Sequence, residues 1–366
     1  MLNAYTIMMI IVVAFSFPMH GNKKGSKKYI VFSCLAMFVL MALRDLTSIG
    51  VDSTSSYLHL YQGMPDQSIS EIIHSHGFNS GFVLLFKLVS IVFGNDYQIL
   101  IIIISAFCLL SFAHLTQKYS LSPVTSICAY WGLCFYIFMF DALKQGIAMS
   151  VLVFAFDAII EKKPLKFYVI VIIASLFHAP ALVFLPAYLI SWIRIPDKLY
   201  IPLIALLFLI IYSFRSSIVK LMMGAYQYTE LADIYASLNV SFIGGAVIVY
   251  LFILGVCYLL RRPNHDNDYV YTTLFKLMII ATILQTFCYY NNIFKRLADY
   301  YSYFSIILIT FPFDAYDKTD TPQTALLSQP WIKSAGKIVF CTYGMLYFTM
   351  YIINASNTYL PFKFFW

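Results

Sequence analysis

Five ionisable side chains, Arg44, Asp52, Lys144, His178 and Arg296, stand in or beside apolar runs of this chain. Charge in such places is costly to desolvate, so each one invites a functional reading. Arg44 leads into Gly50-Val51-Asp52-Ser53-Thr54-Ser55-Ser56-Tyr57. Gly50 permits a turn there, and Asp52 with the hydroxyls behind it has the acceptors a sugar needs. The same residues suit a solvated loop with a capping aspartate. Lys144, in the turn Asp141-Ala142-Leu143-Lys144-Gln145-Gly146, offers a phosphate a point charge, or else snorkels to an interface. His178 lies beside Pro180 in an apolar stretch, as a proton acceptor or a helix-packing hydrogen bonder. Arg296, at the mouth of Asn291-Asn292-Ile293-Phe294-Lys295-Arg296, presents bidentate donors for phosphate oxygens. Its plainer use is an ion pair with Asp299 three residues on.

The elements that must hold these groups are apolar. Of 366 residues, 61% are hydrophobic and 11% charged, with a mean hydropathy of +0.79. A soluble domain carries roughly 25% charged residues, so the outside of this chain must face something other than water. The expected fold is an all-α polytopic membrane protein, one transmembrane domain over residues 1–366, with about 11–12 helices. Candidates fall at 2–19, 29–46, 78–94, 97–115, 123–140, 143–160, 165–193, 199–214, 242–260, 270–289, 296–313 and 337–354. The net charge of +7 does not mark a nucleic-acid partner, because the lysines and arginines sit in short clusters between apolar runs. Cys34, Cys108, Cys128, Cys134 and Cys288 lie in apolar runs with no CxxC pair, so they read as core residues and no metal is expected.

The basic clusters set orientation. Lys23–Lys28, Lys162–Lys166, Arg194/Lys198, Arg261/Arg262 and Lys333/Lys337 are expected on the cytoplasmic side. Loops 47–77 and 215–241 then fall outside, together with the turns at 141–145 and 291–296, so all five ionisable candidates converge on one face. Residues 165–193 carry positive charge at both ends, which predicts a hairpin broken at His178-Ala179-Pro180. Residues 78–115 leave two choices: two full passes, which put Lys118 outside, or one pass and a segment that does not cross, which puts it inside. The tyrosines of 215–241 suit an interfacial segment or a lid over sugar rings.

In their order and spacing these landmarks resemble the EpsG family, the Wzy-like exopolysaccharide and O-antigen polymerases. The residues carrying the resemblance are Arg44 with Gly50-Val51-Asp52 and Tyr57, then Gly77-Phe78, then Lys144-Gln145-Gly146-Ile147-Ala148. Phe177-His178 with Pro186 and Tyr188 follows, and last Arg296 with Tyr300-Tyr301-Ser302-Tyr303-Phe304. The chain departs from the family pattern in having Lys144 where arginine is usual and His74-Ser75-His76 where an acidic residue is usual. The resemblance implies a GT-C-like, metal-independent glycosyltransferase without cofactor in the bacterial inner membrane, its site facing outward. The implied substrate is a glycan on undecaprenyl diphosphate, transferred to another lipid-linked repeat unit, with membrane lipids and a chain-length regulator protein as further partners. It implies catalytic roles for Asp52, His178, Arg296 and Arg44, and substrate or diphosphate binding by Lys144, Gln145, Tyr57 and Tyr300. The alternatives are a ligase that moves a finished glycan to another acceptor, and a lipid-linked-oligosaccharide flippase. A flippase predicts two related halves, which the sequence does not display.

Overall fold

The computed structural model describes residues 3–16, 23–46, 57–64, 68–76, 79–94, 96–194, 245–260, 268–287, 293–314 and 330–366, and single positions at 49, 196, 199, 202, 206, 209, 210, 213 and 214. The regular elements among the described residues are all helices, with one isolated β-bridge between Arg44 and Phe364. They divide into two compact units, Met1–Leu182 with Phe313–Trp366, and Val183–Pro312.

The first unit contains α1 (Ala4–Ala14), α2 (Lys23–Ala42), α3 (Leu58–Gln62), α4 (Ile69–His76), α5 (Ser80–Phe93), α6 (Tyr97–Tyr119), α7 (Pro123–Gly132), α8 (Phe135–Asp141), α9 (Leu143–Ile160) and α10 (Pro164–Phe177). The second begins within a 3-10 turn, Ala179–Phe184, and holds α11 (Ala187–Trp192), α12 (Gly245–Leu259), α13 (Asp268–Thr286), α14 (Ile293–Ser302) and α15 (Ser305–Leu308). A short α16 (Thr310–Asp314) spans the division, and α17 (Pro330–Asn354) and α18 (Ser356–Tyr359) return to the first unit. The starts obey local chemistry. Asn3 accepts the Thr6 amide at 2.9 Å, Asp96 accepts the Gln98 amide at 2.9 Å, and prolines open α7 and α10 where no amide is needed.

Among the described residues five helices are long and apolar enough to cross a bilayer, six if the bent pair α7 and α8 counts as one, and five more apolar helices are shorter. The expected all-α membrane architecture is present, its described helices being a mixture of spans and shorter pieces. Residues 123–140 are not one helix but two, bent by 51° about Cys134, whose φ of 60° lies in the left-handed region. Residues 296–313 divide into three short helices. Loop 47–77 contains α3 and α4. The expected break in 165–193 is present: α10 ends at Phe177, His178 is extended, and the chain turns before α11. Loop 215–241 lies outside the described residues.

Hydrogen bonds between helices fix their directions in the first unit. Gln98, opening α6, donates to the Ala42 carbonyl closing α2 at 2.5 Å, so the two run antiparallel. His114 and Lys118 near the end of α6 meet Asp157 near the end of α9, so those two run parallel. Lys337 near the start of α17 donates to Ser122 at the start of α7 at 2.7 Å, and Gly132 and Gly344 bring these parallel helices into backbone contact. A Cβ on Gly132 would stand 2.6 Å from the Gly344 Cα. Small residues are what permit such an approach between membrane helices. The unit therefore has two ends. Lys118, Lys162, Lys163, Lys166 and Lys337 mark one; the close of α2, the opening of α9 and the close of α10 mark the other.

Candidate functional site

The end opposite the lysines gathers Arg44, Tyr57, Lys144, Gln145 and His178. Arg44 follows α2 and is fully buried. Its guanidinium donates through Nη1 to the Met41 carbonyl and through Nη2 to the Phe140 carbonyl at 3.1 Å, and lies 4.6 Å from the Phe140 ring centroid. Its Nε is buried with no hydrogen-bond partner among the described residues. Arg44 therefore ties α2 to α8, using its planar donors on carbonyls that each helix end leaves open. The C-terminal tail completes the enclosure. The Asp45 amide donates to the Lys363 carbonyl at 2.8 Å, and the Phe365 amide to the Leu43 carbonyl at 3.1 Å. Tyr359 donates to the Asp141 carboxylate.

Lys144 stands in the first turn of α9, half-buried, with its ammonium 5.2 Å from the Tyr57 ring and 5.3 Å from the Phe82 ring. Two ring faces hold a cation without neutralising it. Gln145 beside it is buried. A Cβ on Gly146 would stand 2.7 Å from the Met139 sulfur, so a larger residue here would make that flexible side chain shift. Tyr57 reaches Lys144 because it packs on α5, its ring 5.2 Å from Phe82 and 6.3 Å from Phe86. His178 closes α10 with an extended backbone and is half-exposed. Asp52, Gly50-Val51 and Gly77-Phe78 lie outside the described residues.

In the second unit, Arg296 is exposed on α14 and Tyr300 is buried. The ion pair anticipated between Arg296 and Asp299 is made instead by Lys295, whose Nζ lies 2.9 and 3.2 Å from the two Asp299 oxygens. The spacing explains it: i, i+4 aligns the two side chains on one helix face, with the carboxylate buried and the ammonium at its rim.

Two buried charges escaped the sequence reading. Asp157 on α9, almost wholly buried, accepts from His114 at 2.7 Å, Tyr119 at 2.5 Å and Lys118 at 2.9 Å, all on α6. Lys276 on α13 donates to the Ser191 carbonyl at the close of α11 at 2.9 Å. Each is an ionisable residue inside an apolar run, which is the available signal; its partners are 38 to 85 residues away. Glu161, just past α9, is held down to about 2 by hydrogen bonds from Lys163 and Lys166. Among the described residues no cluster of three or more metal-ligating side chains is present.

No curated protein and no solved structure matches the chain. The EpsG family does, over residues 27–364, a span that takes in every residue assigned above. An all-α chain with several membrane-length helices, matched over that span, belongs to the EpsG family, and with it to membrane proteins of polysaccharide-polymerase type.

Proposed function

We propose that the protein elongates a polysaccharide by transferring a glycan from undecaprenyl diphosphate to another lipid-linked repeat unit, at the outer face of a bacterial inner membrane. The observation that carries this reading is the gathering of Lys144, Tyr57, Arg44 and His178 at the end of the first unit opposite the cluster of Lys118, Lys162, Lys163, Lys166 and Lys337. A lysine-rich end belongs to the cytoplasm, which turns the other end outward.

In the transfer, an acceptor sugar hydroxyl attacks the anomeric carbon. The carbon–oxygen bond to the diphosphate breaks with its electron pair leaving on that oxygen, and a base takes the hydroxyl proton. Negative charge grows on the departing diphosphate, so fixed cations there lower the barrier. Lys144 suits this role, because its ammonium is held against the Tyr57 and Phe82 rings at the opening of α9. Arg44 acts from behind, a buried positive charge that also fixes α8 and so the start of α9. The base is His178 or Asp52; His178 stands at the same end as Lys144, and a half-exposed imidazole is competent to accept a proton. Arg296 and Tyr300 keep the catalytic and substrate-binding roles that the family resemblance gives them.

The test is the lipid-linked glycan of cells lacking the protein. Single repeat units accumulating on the outer leaflet support a polymerase. Normal long chains that never reach their final acceptor would replace this reading with a ligase.

A further inference from the structure

We infer that α5 does not cross the membrane but lies along its outer interface, with one apolar edge resting in lipid. Both of its ends are at the same end of the first unit. At the start, a Cβ on Gly81 would stand 2.9 Å from Leu176, at the close of α10, and the Phe82 ring faces Lys144 at the opening of α9. Past the finish, the Gly94 carbonyl accepts from Tyr61 at 2.7 Å, and the Tyr61 ring stands 5.6 Å from Tyr97, which opens α6. The next residue, Gln98, is bonded to the close of α2. A helix that crossed from the His178 end would deliver Gly94 to the lysine-rich end instead.

Length agrees. Fourteen residues rise about 21 Å, well short of the roughly 30 Å hydrocarbon core. The two sides of the helix differ as an interfacial helix requires. Phe82, Val83, Phe86 and Val89 are buried, while Leu88, Ile91, Val92 and Phe93 are all more than half exposed. The apolar surface continues onto the neighbouring α10 through the exposed Val169, Ile172 and Ile173, which a membrane span turns toward lipid. That continuity assigns the α5 edge to lipid and not to a protein partner. Lys87, mid-helix, is kept out of hydrocarbon by donating to the Met64 carbonyl at 2.8 Å. Charge agrees as well: with α6 the only crossing between residues 79 and 119, Lys118 falls beside Glu161 at 3.6 Å, on the side of Lys163 and Lys166. The consequence for the site is depth, since α5 lying flat sets Lys144 near the phosphate layer of the outer leaflet.

Single cysteines in a chain freed of its native ones, probed with an impermeant thiol reagent in intact and opened cells, test the placement. Asn79→Cys, Asp96→Cys and Ala179→Cys are expected to label from one side and Lys163→Cys from the other. Labelling of Asn79→Cys and Asp96→Cys from opposite sides overturns it. The lipid contact is read in vesicles of the reconstituted full chain, with bimane on Leu88→Cys or Ile91→Cys, both exposed and so tolerant of change. Stronger quenching by doxyl groups near the headgroup than near the chain end is expected. No quenching at either depth would give the surface to a protein, and stronger deep quenching would return α5 to a spanning position. Neither readout involves glycan transfer, so each stands or falls apart from the proposed activity.

Discussion

Lys144→Met separates the charge of Lys144 from its shape, since an unbranched apolar chain of similar length still packs between the Tyr57 and Phe82 rings. If the ammonium stabilises the departing diphosphate, its loss removes about 3 kcal/mol at the transition state, or about 100-fold in rate. The aromatic walls contribute less. Each ring contributes about 0.5–1 kcal/mol to holding the cation, so Tyr57→Leu should slow transfer only about 2- to 5-fold through positioning. Lys144→Arg keeps the charge and adds planar donors, and should retain most of the rate. The assay is turnover of a defined lipid-linked repeat unit by the reconstituted protein, read as chain length against time at matched protein and saturating substrate. A Lys144→Met variant within a few-fold of the parent would take the Lys144 charge out of the transfer step. So would Tyr57→Leu falling as far as Lys144→Met, which would make the rings and not the charge the working part.

Arg44→Ala should lower folded protein as well as activity, by about 2–5 kcal/mol, because the carbonyls of Met41 and Phe140 lose their donors inside the fold; Arg296→Ala, at an exposed position, should leave thermal unfolding unchanged while stopping chain growth. Gly132→Ala should destabilise by about 1–3 kcal/mol, since the obstruction is the Gly344 backbone, whereas Gly255→Ala, with open space around it, should not; equal melting curves for the two would discredit the α7–α17 contact. His178→Gln and Asp52→Asn, compared for substrate binding and for turnover, should give one variant that binds normally and does not turn over, and that residue is the base. Glu161 ionises more readily in the folded chain than at the ordinary value of 4.5, so its contribution is present above pH 4.5 and lost as pH falls toward about 2. Purified protein should therefore lose more thermal stability over that window than its Glu161→Gln variant, and parallel curves would remove the lysine pairs from the account.

Much of the fold was legible because a bilayer solvent leaves few options. The apolar runs declare helices, and the lysine clusters orient them. The break beside Pro180 was legible for a local reason, the clash a proline imposes on the residues before it. The gathering of Arg44, Lys144 and His178 at one end followed from topology alone. What each does there did not. The sequence places Arg44 beside the membrane, but only packing turns its guanidinium onto two carbonyls and a ring. It marks Lys144 as a charge in a tight turn, but only the folding of α3 and α5 over α9 supplies the rings that hold it.

The family match and the all-helical class rest on residue order and composition, which survive any arrangement of the helices. The bend at Cys134, the choice of Lys295 over Arg296 as partner of Asp299, and the clasp of Asp157 by α6 all depend on how neighbours fill space. Residues 78–94 divide the two kinds of knowledge most plainly. Hydropathy marks them as apolar whichever way they run, because a span and an interfacial helix both need an apolar face. Only the contacts of Gly81 and Gly94 with fixed points at one end of the bundle decide where that helix lies.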